Sequence, residues 1–287
     1  MLKARDYTPA VKFGAKWLPK DFAGFVSGNA LYVGPVTSPE ADYNTIQDAV
    51  NAAVDGDTIL VQPGIYAETV TIAKNNITVI GMGSHLSTKV GYIYGQTAVT
   101  AAAMNISGQN VELVNLDISG GTTTTYGVLV TGDGFSAIAC KFEMQNDVGI
   151  ALKFLGSAVS GVTGSLGVID NCEFAWAEEG IRTVTATSNI TQMMIKNSWF
   201  HNLSTSCIGG AGTASVKNLT VTDCQFDNME DGTEPTEYLH FETGDTGIVT
   251  NCSFACATNV TTSNKVPATL FWVSNKTVAG ISTQVPQ

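Results

Sequence analysis

Short apolar runs separated by turn residues recur along most of the chain. Between residues 58 and 81 such runs occupy 58–61, 68–72 and 77–80, with Pro63-Gly64 and Gly81 between or after them. Runs of this length, rich in Val, Ile and Thr and bounded by Gly or Pro, are typical of β-strands. The pattern therefore predicts a chain built mainly of short strands.

One segment has the periodicity of a helix. Ile46, Ala49, Val50 and Ala53 follow one another at the i, i+3, i+4 and i+7 positions and form one apolar face. Asn44 or Thr45 is the expected N-cap, because a side-chain oxygen there can accept from the first free backbone amides. The sequence predicts a single short helix at 43–53.

An internal repeat dominates residues 113–254. Six segments share the pattern apolar-x-Asn/Asp-Cys-x-Phe or a close variant, and their last residues lie between 24 and 32 positions apart: Ile118, Phe142, Phe174, Phe200, Phe226 and Phe254. A repeat of 20–50 residues indicates stacked structural units. Strand alternation predicts that the Cys and the Phe of each copy, two residues apart, both point into the core.

The Asn or Asp of each copy interrupts the apolar period and predicts a bend in the backbone. Asn and Asp tolerate the left-handed conformation that such bends need, and Ala139 is the exception in the series. Stacking of the repeats would align the polar side chains in a structural ladder of Asn115, Asn171, Asn197, Asp223 and Asn251.

A further strand follows each copy, at 127–130, 149–152, 180–183, 207–210, 238–241 and 270–273. Each repeat then has at least three short strands with bends between them, one repeat making one coil. The predicted fold class is all-β, a parallel β-helix of about seven or more coils that occupies residues 39–275.

The opening of this region resembles a known superfamily. Thr45-Ile-Gln-Asp-Ala-Val, Gly56 through Val70, and Ile77-Thr-Val-Ile-Gly resemble the start of the pectin-lyase-like right-handed parallel β-helix superfamily, and the Asn ladder and Phe stack are similar as well. The resemblance implies a right-handed β-helix whose N-terminal helix caps the first coil. Enzymes, adhesins and bacteriophage virion proteins share this fold, and the chain is most similar to the virion surface proteins.

Catalytic residues cannot be carried over from the pectinesterases in that superfamily. The segment 144–149, Met-Gln-Asn-Asp-Val-Gly, is only faintly similar to their first catalytic motif, and their second Asp motif and Arg-Pro-Trp motif have no match. The sequence therefore assigns no catalytic residue, no metal ligand and no cofactor.

Superfamily enzymes place their substrate on the outer face of one sheet, which we identify with the further strand of each coil. The expected outward residues are Leu129, Ala151, Arg182, Gly209, His240 and Phe271. A polysaccharide lyase needs a base and several cations there, and a glycosidase needs two carboxylates at roughly 5–10 Å. This row offers Arg182 and His240, with Lys153 and Glu242 two residues further on, and a solvent-facing sheet with scattered polar residues is the alternative.

The turn at 228–237 interrupts the repeat with four acidic residues. Glu230, Asp231, Glu234 and Glu237 could bind Ca²⁺ or act as acid and base, or form a solvated loop. Their spacing is not that of an EF-hand.

Composition excludes several classes of function. The formal net charge of −11 argues against nucleic-acid binding, which needs Lys and Arg. The apolar runs are far shorter than a membrane span, and the first residues lack the apolar core of a signal peptide. We expect a protein made in the host cytoplasm without a signal peptide and no membrane partner. The cysteines, four of them in the same inward slot, are expected to be reduced.

Residues 1–38 differ in texture from the repeat, and so do the last residues, 276–287. The first segment carries several cations and aromatic residues that suit an interface anchor, and packing against the same chain is the alternative. We expect an attachment arm at 1–38, a C-terminal tail at 276–287, and attachment residues Tyr7, Phe13, Trp17, Phe22 and Phe25.

Three hypotheses for function stay open. The first is a structural virion protein that projects its β-helix from the particle surface as a capsid decoration, head spike or tailspike. It would contact capsid or tail proteins, form a homotrimer and bind a host glycan. The second is a carbohydrate-active enzyme, a polysaccharide lyase or glycoside hydrolase, that uses the Arg182 and His240 face. The third is a non-catalytic glycan-binding adhesin.

Overall fold

A computed structural model of the chain describes most of the repeat region. The described residues are 11–13, 16–18, 29–83, 88–91, 102–121, 125–144, 149–155, 167–183, 190–209, 216–227, 235–241, 244–255, 264–265, 270–277 and 280–282.

The described residues form strands and one short helix. The helix is α1, Ile46–Ala52. The first strands are β1 Val11–Phe13, β2 Lys16–Leu18, β3 Ala30–Val33, β4 Thr58–Val61, β5 Gly64–Tyr66, β6 Val70–Ile72, β7 Thr78–Gly81, β8 Thr88–Gly91, β9 Ala102–Ile106 and β10 Glu112–Val114. The middle strands are β11 Asp117–Gly120, β12 Tyr126–Val130, β13 Ser136–Ile138, β14 Lys141–Met144, β15 Ile150–Phe154, β16 Gly167–Asp170, β17 Glu173–Arg182, β18 Ile190–Thr191, β19 Met193–Lys196 and β20 Trp199–Gly209. The last strands are β21 Val216–Lys217, β22 Leu219–Thr222, β23 Gln225–Phe226, β24 Glu237–His240, β25 Gly247–Thr250, β26 Ser253–Phe254, β27 Asn264–Lys265, β28 Leu270–Val273, β29 Asn275–Thr277 and β30 Gly280–Ser282.

Two large sheets run along the stack of coils. The first has ten strands in the order β28-β25-β22-β19-β16-β13-β10-β7-β4-β3, every neighbouring pair being parallel. The second sheet has sixteen strands and divides into two arms that share the long strands β17 and β20. We call them the phenylalanine arm, with β11, β14, β23 and β26, and the outer arm, with β9, β12, β15 and β24. The predicted all-β parallel β-helix of about seven or more coils is confirmed.

A ladder of aromatic rings fills the core behind the phenylalanine arm. Phe142, Phe174, Phe200, Phe226 and Phe254 are all buried, and neighbouring rings stack at centroid distances of 5.0, 4.7, 5.0 and 4.7 Å. Those distances match the spacing of adjacent strands, roughly 4.7–4.9 Å. The rings stack because the repeat places them in register in successive coils.

The polar position of the repeat forms the corner between the two sheets. Its residues have left-handed backbones with φ between 52° and 56°: Asn115, Ala139, Asn171, Asn197, Asp223 and Asn251. Asn115 Nδ2 donates to Gly81 O at 2.7 Å, Asn197 Nδ2 donates to Asp170 Oδ1 at 2.8 Å, and Asn251 Nδ2 donates to Asp223 Oδ1. These bonds join neighbouring coils at the surface, since Asn171, Asn197, Asp223 and Asn251 are exposed.

The helix forms where the apolar period predicts it. Thr45 is the N-cap, and its hydroxyl accepts from the Asp48 amide at 3.1 Å. The carboxylate of Glu68 accepts from the amides of Ile46 and Gln47 at 2.8 and 3.0 Å. The buried face of α1 packs against β3, β4 and β6. The capping of the first coil by this helix stays a prediction.

The strands begin earlier and end later than the repeat. Ala30–Val33 pairs with Thr58–Val61 in the ten-stranded sheet, although it precedes residue 39 and lacks the repeat pattern. At the other end Ser253 and Phe254 pair with Lys276 and Thr277. Among the described strands, β1 and β2 pair with each other alone, antiparallel. Among the expected attachment residues, Phe13 and Trp17 lie on these two strands, and Tyr7, Phe22 and Phe25 lie outside the described residues.

The cysteines that the structure describes are all free and buried: Cys140, Cys172, Cys207, Cys224 and Cys252. Cys140 and Cys172 donate through Sγ to the carbonyl oxygens of Leu113 and Ala137, in the preceding coil, at 3.5 and 3.4 Å. The reduced state of the thiols stays a prediction.

Among the described residues, no helix has the length and apolar character needed to cross a membrane.

Candidate functional site

The outer arm presents one outward position per coil along the rod. Backbone pairing aligns these positions in the order Asn105, Leu129, Lys153, Arg182, Gly209, His240 and Lys265. Leu129, Arg182, Gly209 and His240 lie in this row, as the sequence predicts. We call it the cationic row. Among its described side chains, those of Lys153, Arg182 and His240 can carry a positive charge.

Two residues of the predicted row lie elsewhere. Ala151 is fully buried in the core, and Lys153 takes the outward position. Simple alternation fails here because three consecutive residues, Ile150, Ala151 and Leu152, are all buried. Phe271 belongs to β28 of the ten-stranded sheet, where it pairs with Ile248 and is 72% exposed.

A second row lies three residues earlier in each strand and contacts the first. Its members align in the order Tyr126, Ile150, Glu179, Ser206 and Glu237. The two rows together place a carboxylate beside a cation in two coils, Glu179 with Arg182 and Glu237 with His240. This arrangement repeats the spacing Glu-x-x-cation at equivalent positions of the β-helix.

The Glu179–Arg182 pair is fixed in place. Glu179 is 4% exposed, and its Oε2 accepts from Arg182 Nε at 2.6 Å while Oε1 accepts from Nη2. The hydrogen bond to Glu179 raises the pKa of Arg182, and the charges of Glu179 and Glu178 add to the shift. A bidentate guanidinium–carboxylate contact of this kind holds the guanidinium in a defined orientation.

The Glu237–His240 pair lies two coils further along the rod. His240 Nδ1 contacts Glu237 Oε2, and both side chains are largely shielded from solvent. Of the acidic turn, Glu237 is thus on the candidate face, whereas Glu230, Asp231 and Glu234 lie outside the described residues.

The coil between the two pairs offers almost no side chain. Gly209 has φ of 124°, and a Cβ there would lie 1.8 Å from the His240 carbonyl oxygen. Ser206 is 1% exposed, and its Oγ has no hydrogen-bond partner among the described groups. The backbone geometry therefore requires glycine, so this coil places no exposed side chain between the two pairs. Two strand spacings separate their backbones by roughly 9–10 Å.

Lys153 and Tyr126 border the face on its N-terminal side. Lys153 Nζ lies 3.3 Å from the Tyr126 hydroxyl and 4.8 Å from the ring centroid. The cation–π contact and the hydroxyl orient the ammonium group over the surface.

A metal centre is not part of this arrangement. Within the described ranges, no group of three or more His, Cys, Asp or Glu side chains has the geometry to hold a metal ion. The chemistry that the face does offer is hydrogen bonding by fixed charged groups along a line.

The sequence pattern indicated Arg182, His240 and, within the acidic turn, Glu237, but it indicated neither Glu179 nor the pairing of Glu237 with His240. Glu179, Ser206 and Tyr126 were not recognised because strict strand alternation would place them on the face opposite to the residues three positions later. The spacing Glu-x-x-Arg at 179–182 and Glu-x-x-His at 237–240, at equivalent repeat positions, is the feature that could have indicated them.

No protein-family model matches the sequence, and no curated protein matches it either. Several solved structures are similar to the chain. YbhC from Escherichia coli has a TM-score of 0.61 at 14% identity, over 86% of this chain and 85% of that one. The pectin methylesterase PemA from Erwinia chrysanthemi has a TM-score of 0.54 at 12% identity, over 90% and 92%.

A phage protein is also similar. The tailspike protein gp49 of the Acinetobacter baumannii bacteriophage Fri1, a capsular polysaccharide depolymerase, has a TM-score of 0.58 at 17% identity. The match covers 96% of this chain and 53% of gp49. At these identities the likeness concerns the fold alone. The chain shares the parallel β-helix fold of pectin methylesterases and of a phage tailspike.

Proposed function

We propose that this protein is a bacteriophage virion-surface component whose β-helix binds a host polysaccharide along the cationic row without cleaving it. The observation that carries the proposal is the pair of fixed carboxylate–cation groups, Glu179–Arg182 and Glu237–His240, in the coils on either side of Gly209. The fold shared with a phage tailspike supports the virion assignment.

The shape of the face suits a long ligand. From Leu129 to His240 the row crosses four strand spacings, about 19 Å along the rod. Three of its five positions, Lys153, Arg182 and His240, carry hydrogen-bonding side chains. An extended chain of hydroxylated units can contact Lys153, Arg182 and His240 at once, which a small metabolite cannot.

Binding explains the face better than cleavage. Both carboxylate oxygens of Glu179 already accept hydrogen bonds from Arg182, whereas a general acid must donate a proton. The second candidate, an inverting glycoside hydrolase, is favoured by one observation. Glu179 and Glu237 occupy equivalent positions two coils apart, so their backbones are separated by roughly 9–10 Å, near the upper end of the range for the carboxyl groups of inverting pairs.

The virion role assigns the rest of the chain. The arm within residues 1–38, with Tyr7, Phe13, Trp17, Phe22 and Phe25 as anchors, would attach the protein to a capsid or tail protein. The β-helix would then project from the particle as a capsid decoration or head spike. A homotrimer with the rods side by side would leave the cationic row on the outside.

Binding to an array of purified bacterial capsular and O-antigen polysaccharides tests the glycan part. The double variant Lys153→Ala/His240→Ala should weaken binding by at least about tenfold, because hydrogen bonds to charged groups contribute roughly 1.5–3 kcal/mol. The matched control is Lys89→Ala/Lys196→Ala, which removes two outward cations from other surfaces of the rod. Equal binding by both double variants and the parent would refute the proposal.

The enzyme alternative has its own test. Release of reducing ends or unsaturated sugars from the bound polysaccharide, lost in Glu237→Gln and kept in the Lys89→Ala/Lys196→Ala control, would replace the binding proposal by the hydrolase or lyase. Binding without any such release, retained in Glu237→Gln, supports the non-catalytic function.

A further inference from the structure

An exposed tryptophan stands on a different surface of the rod, the outer side of the phenylalanine arm. Trp199 begins β20, and 42% of its surface is exposed. In the neighbouring coils the same position holds Glu173 on one side and Gln225, then Ser253, on the other. The sheet therefore accepts polar residues at this position, and the fold does not require an aromatic ring there.

The indole is held firmly despite its exposure. It stacks on the imidazole of His201, with ring centroids 3.8 Å apart and planes 23° apart. Its Nε1 donates to Asp227 Oδ2 at 2.6 Å, and Gln225 Nε2 donates to the same oxygen at 2.6 Å. We call Trp199, His201, Gln225 and Asp227 the tryptophan platform.

The imidazole beneath the indole is fixed in turn. His201 Nε2 lies 3.2 Å from Glu173 Oε1, and His201 Nδ1 lies 3.1 Å from Asn202 Nδ2. The hydrogen bond with His201 lowers the pKa of Glu173, with the charge of Lys141 acting in the same direction. Contacts on both ring nitrogens set the tilt of the imidazole and so the orientation of the indole above it. A ligand would meet a preformed surface and lose little conformational freedom of the protein.

We propose that the tryptophan platform is a second carbohydrate-binding site, which takes a neutral pyranose ring. The apolar C–H face of the sugar lies against the exposed face of Trp199, whose π-system is electron-rich and attracts the slightly positive C–H groups. The carboxylate of Asp227 and the amide of Gln225 lie at the indole edge, where they can bind the hydroxyl groups. An aromatic surface with a few placed polar groups is the usual composition of a ligand site.

The charge around the platform selects an uncharged sugar. Asp227 lies at the indole nitrogen, and Glu173 lies beside His201. The nearest ammonium in this network, that of Lys141, is already 2.9 Å from Glu143 and 3.4 Å from Glu173. A uronic acid or sialic acid would bring a further carboxylate to this acidic surface, so the platform differs in preference from the cationic row. The proposal stands independently of the proposed function, since the two surfaces share no residue.

Titration of the full chain with cellohexaose and chitohexaose, followed by calorimetry, tests the proposal, and tetragalacturonate is the charged comparison. We expect binding of at least one neutral hexaose and weaker binding of the uronate. Trp199→Ala should weaken neutral binding at least about tenfold, and Trp199→Phe should lose less because a ring remains. Asp227→Ala should weaken it several-fold. Phe271→Ala, which removes an exposed ring from the ten-stranded sheet, is the matched control and should bind like the parent.

Three results would overturn the proposal: no binding of either neutral hexaose at millimolar concentration, unchanged binding by Trp199→Ala, or an equal loss in Phe271→Ala. A change of oligomeric state in Trp199→Ala, measured by light scattering, would show instead that the platform is a contact between copies of the chain. The Lys153→Ala/His240→Ala variant should keep its neutral hexaose binding, so failure of the cationic row and failure of the platform are told apart.

Discussion

The rings of Phe174 and Phe200 lie 4.7 Å apart with their planes 6° from parallel, although 26 residues separate them in the chain. Strand pairing in register causes this, because Phe174 pairs directly with Phe200 and Glu173 pairs with Trp199. The same register thus places Phe rings inside the rod and polar or aromatic side chains outside. The core and both candidate surfaces depend on one alignment of the coils.

Loss of a central ring should destabilise the whole stack. Phe200 is fully buried and stacks on Phe174 and Phe226, so Phe200→Ala should lower the free energy of unfolding by about 3–5 kcal/mol. Urea unfolding followed by circular dichroism measures this change. Phe271→Ala is the control, since that ring is exposed, and should change stability by less than about 0.5 kcal/mol. A small effect at Phe200 would contradict the proposed core.

At one Asn position of the repeat, the residue present does not favour the backbone conformation it adopts. Ala139 has φ of 53°, at the position where other coils have Asn or Asp. The left-handed conformation costs an L-residue such as Ala roughly 1–2 kcal/mol, and Asn tolerates it better. We therefore expect Ala139→Asn to raise the free energy of unfolding by about 0.5–1 kcal/mol. The reverse change in another coil, Asn197→Ala, should lower it, and effects of equal sign at both positions would contradict the corner argument.

Glu173 should make stability depend on pH in the acid range. Its pKa is lowered in the folded protein, first by the hydrogen bond with His201. The contribution of Glu173 to the free energy of unfolding is therefore complete above the ordinary Glu pKa of roughly 4.3. It is lost as the pH falls through the lower pKa of the folded protein. The loss of stability in Glu173→Gln should be larger at pH 7 than at pH 3 in urea unfolding.

Glu112 supplies the opposite control. Burial raises the pKa of Glu112 in the folded protein. Its contribution to the free energy of unfolding is therefore present below the ordinary Glu pKa and is lost as the pH rises through the raised pKa of the folded protein. Glu112→Gln should therefore gain stability relative to the parent between pH 3 and pH 7. The same sign of pH dependence in both variants would show that Glu173 does not act through its contact with His201.

The repeat made the core and the bend at its Asn position predictable, whereas the burial of consecutive residues along the outer arm was not. The spacing of Phe142, Phe174 and Phe200 was enough to identify stacked coils and inward rings. Ala151 was misplaced because three consecutive residues, 150–152, are buried there, which no period of two can indicate. The strand Ala30–Val33 lacks the repeat, so only its pairing with Thr58–Val61 shows that it belongs to the sheet.

The candidate site was predictable only in part for the same reason. Arg182 and His240 stand out as rare charged residues in the right strands. The partners Glu179 and Glu237 precede them by three residues. Strict strand alternation would place residues at that spacing on opposite faces. Trp199 was visible as an aromatic residue, but its contact with Asp227 joins residues 28 positions apart and depends on register.

The buried thiols should be unreactive in the folded protein. Burial raises the pKa of Cys172 and of Cys207 well above the usual value, and the thiolate is the reactive form. In a Cys256→Ser variant, which removes the cysteine outside the described residues, a thiol-reactive disulfide reagent should label no cysteine in the native state. It should label all five after unfolding. Rapid labelling of native protein would show that the coils open or that the thiols are not packed as described.

Removal of the first residues should separate folding from attachment. The pairing of the ten-stranded sheet begins at Asn29, whose carbonyl accepts from the Thr58 amide at 2.9 Å and whose amide donates to Asp57 Oδ1 at 2.9 Å. The earlier strands β1 and β2 share no ladder with either large sheet among the described residues. Deletion of residues 2–25 should therefore leave the free energy of unfolding within about 1 kcal/mol of the parent, a surface-type change.

The same deletion should abolish incorporation into particles that lack the protein, if Tyr7, Phe13, Trp17, Phe22 and Phe25 anchor it. Sedimentation with purified particles measures incorporation, and the Lys89→Ala/Lys196→Ala variant controls for a general change of surface charge. Normal incorporation of the folded truncated chain would show that the arm is not the attachment device, and failure to fold would show that residues 2–25 belong to the β-helix.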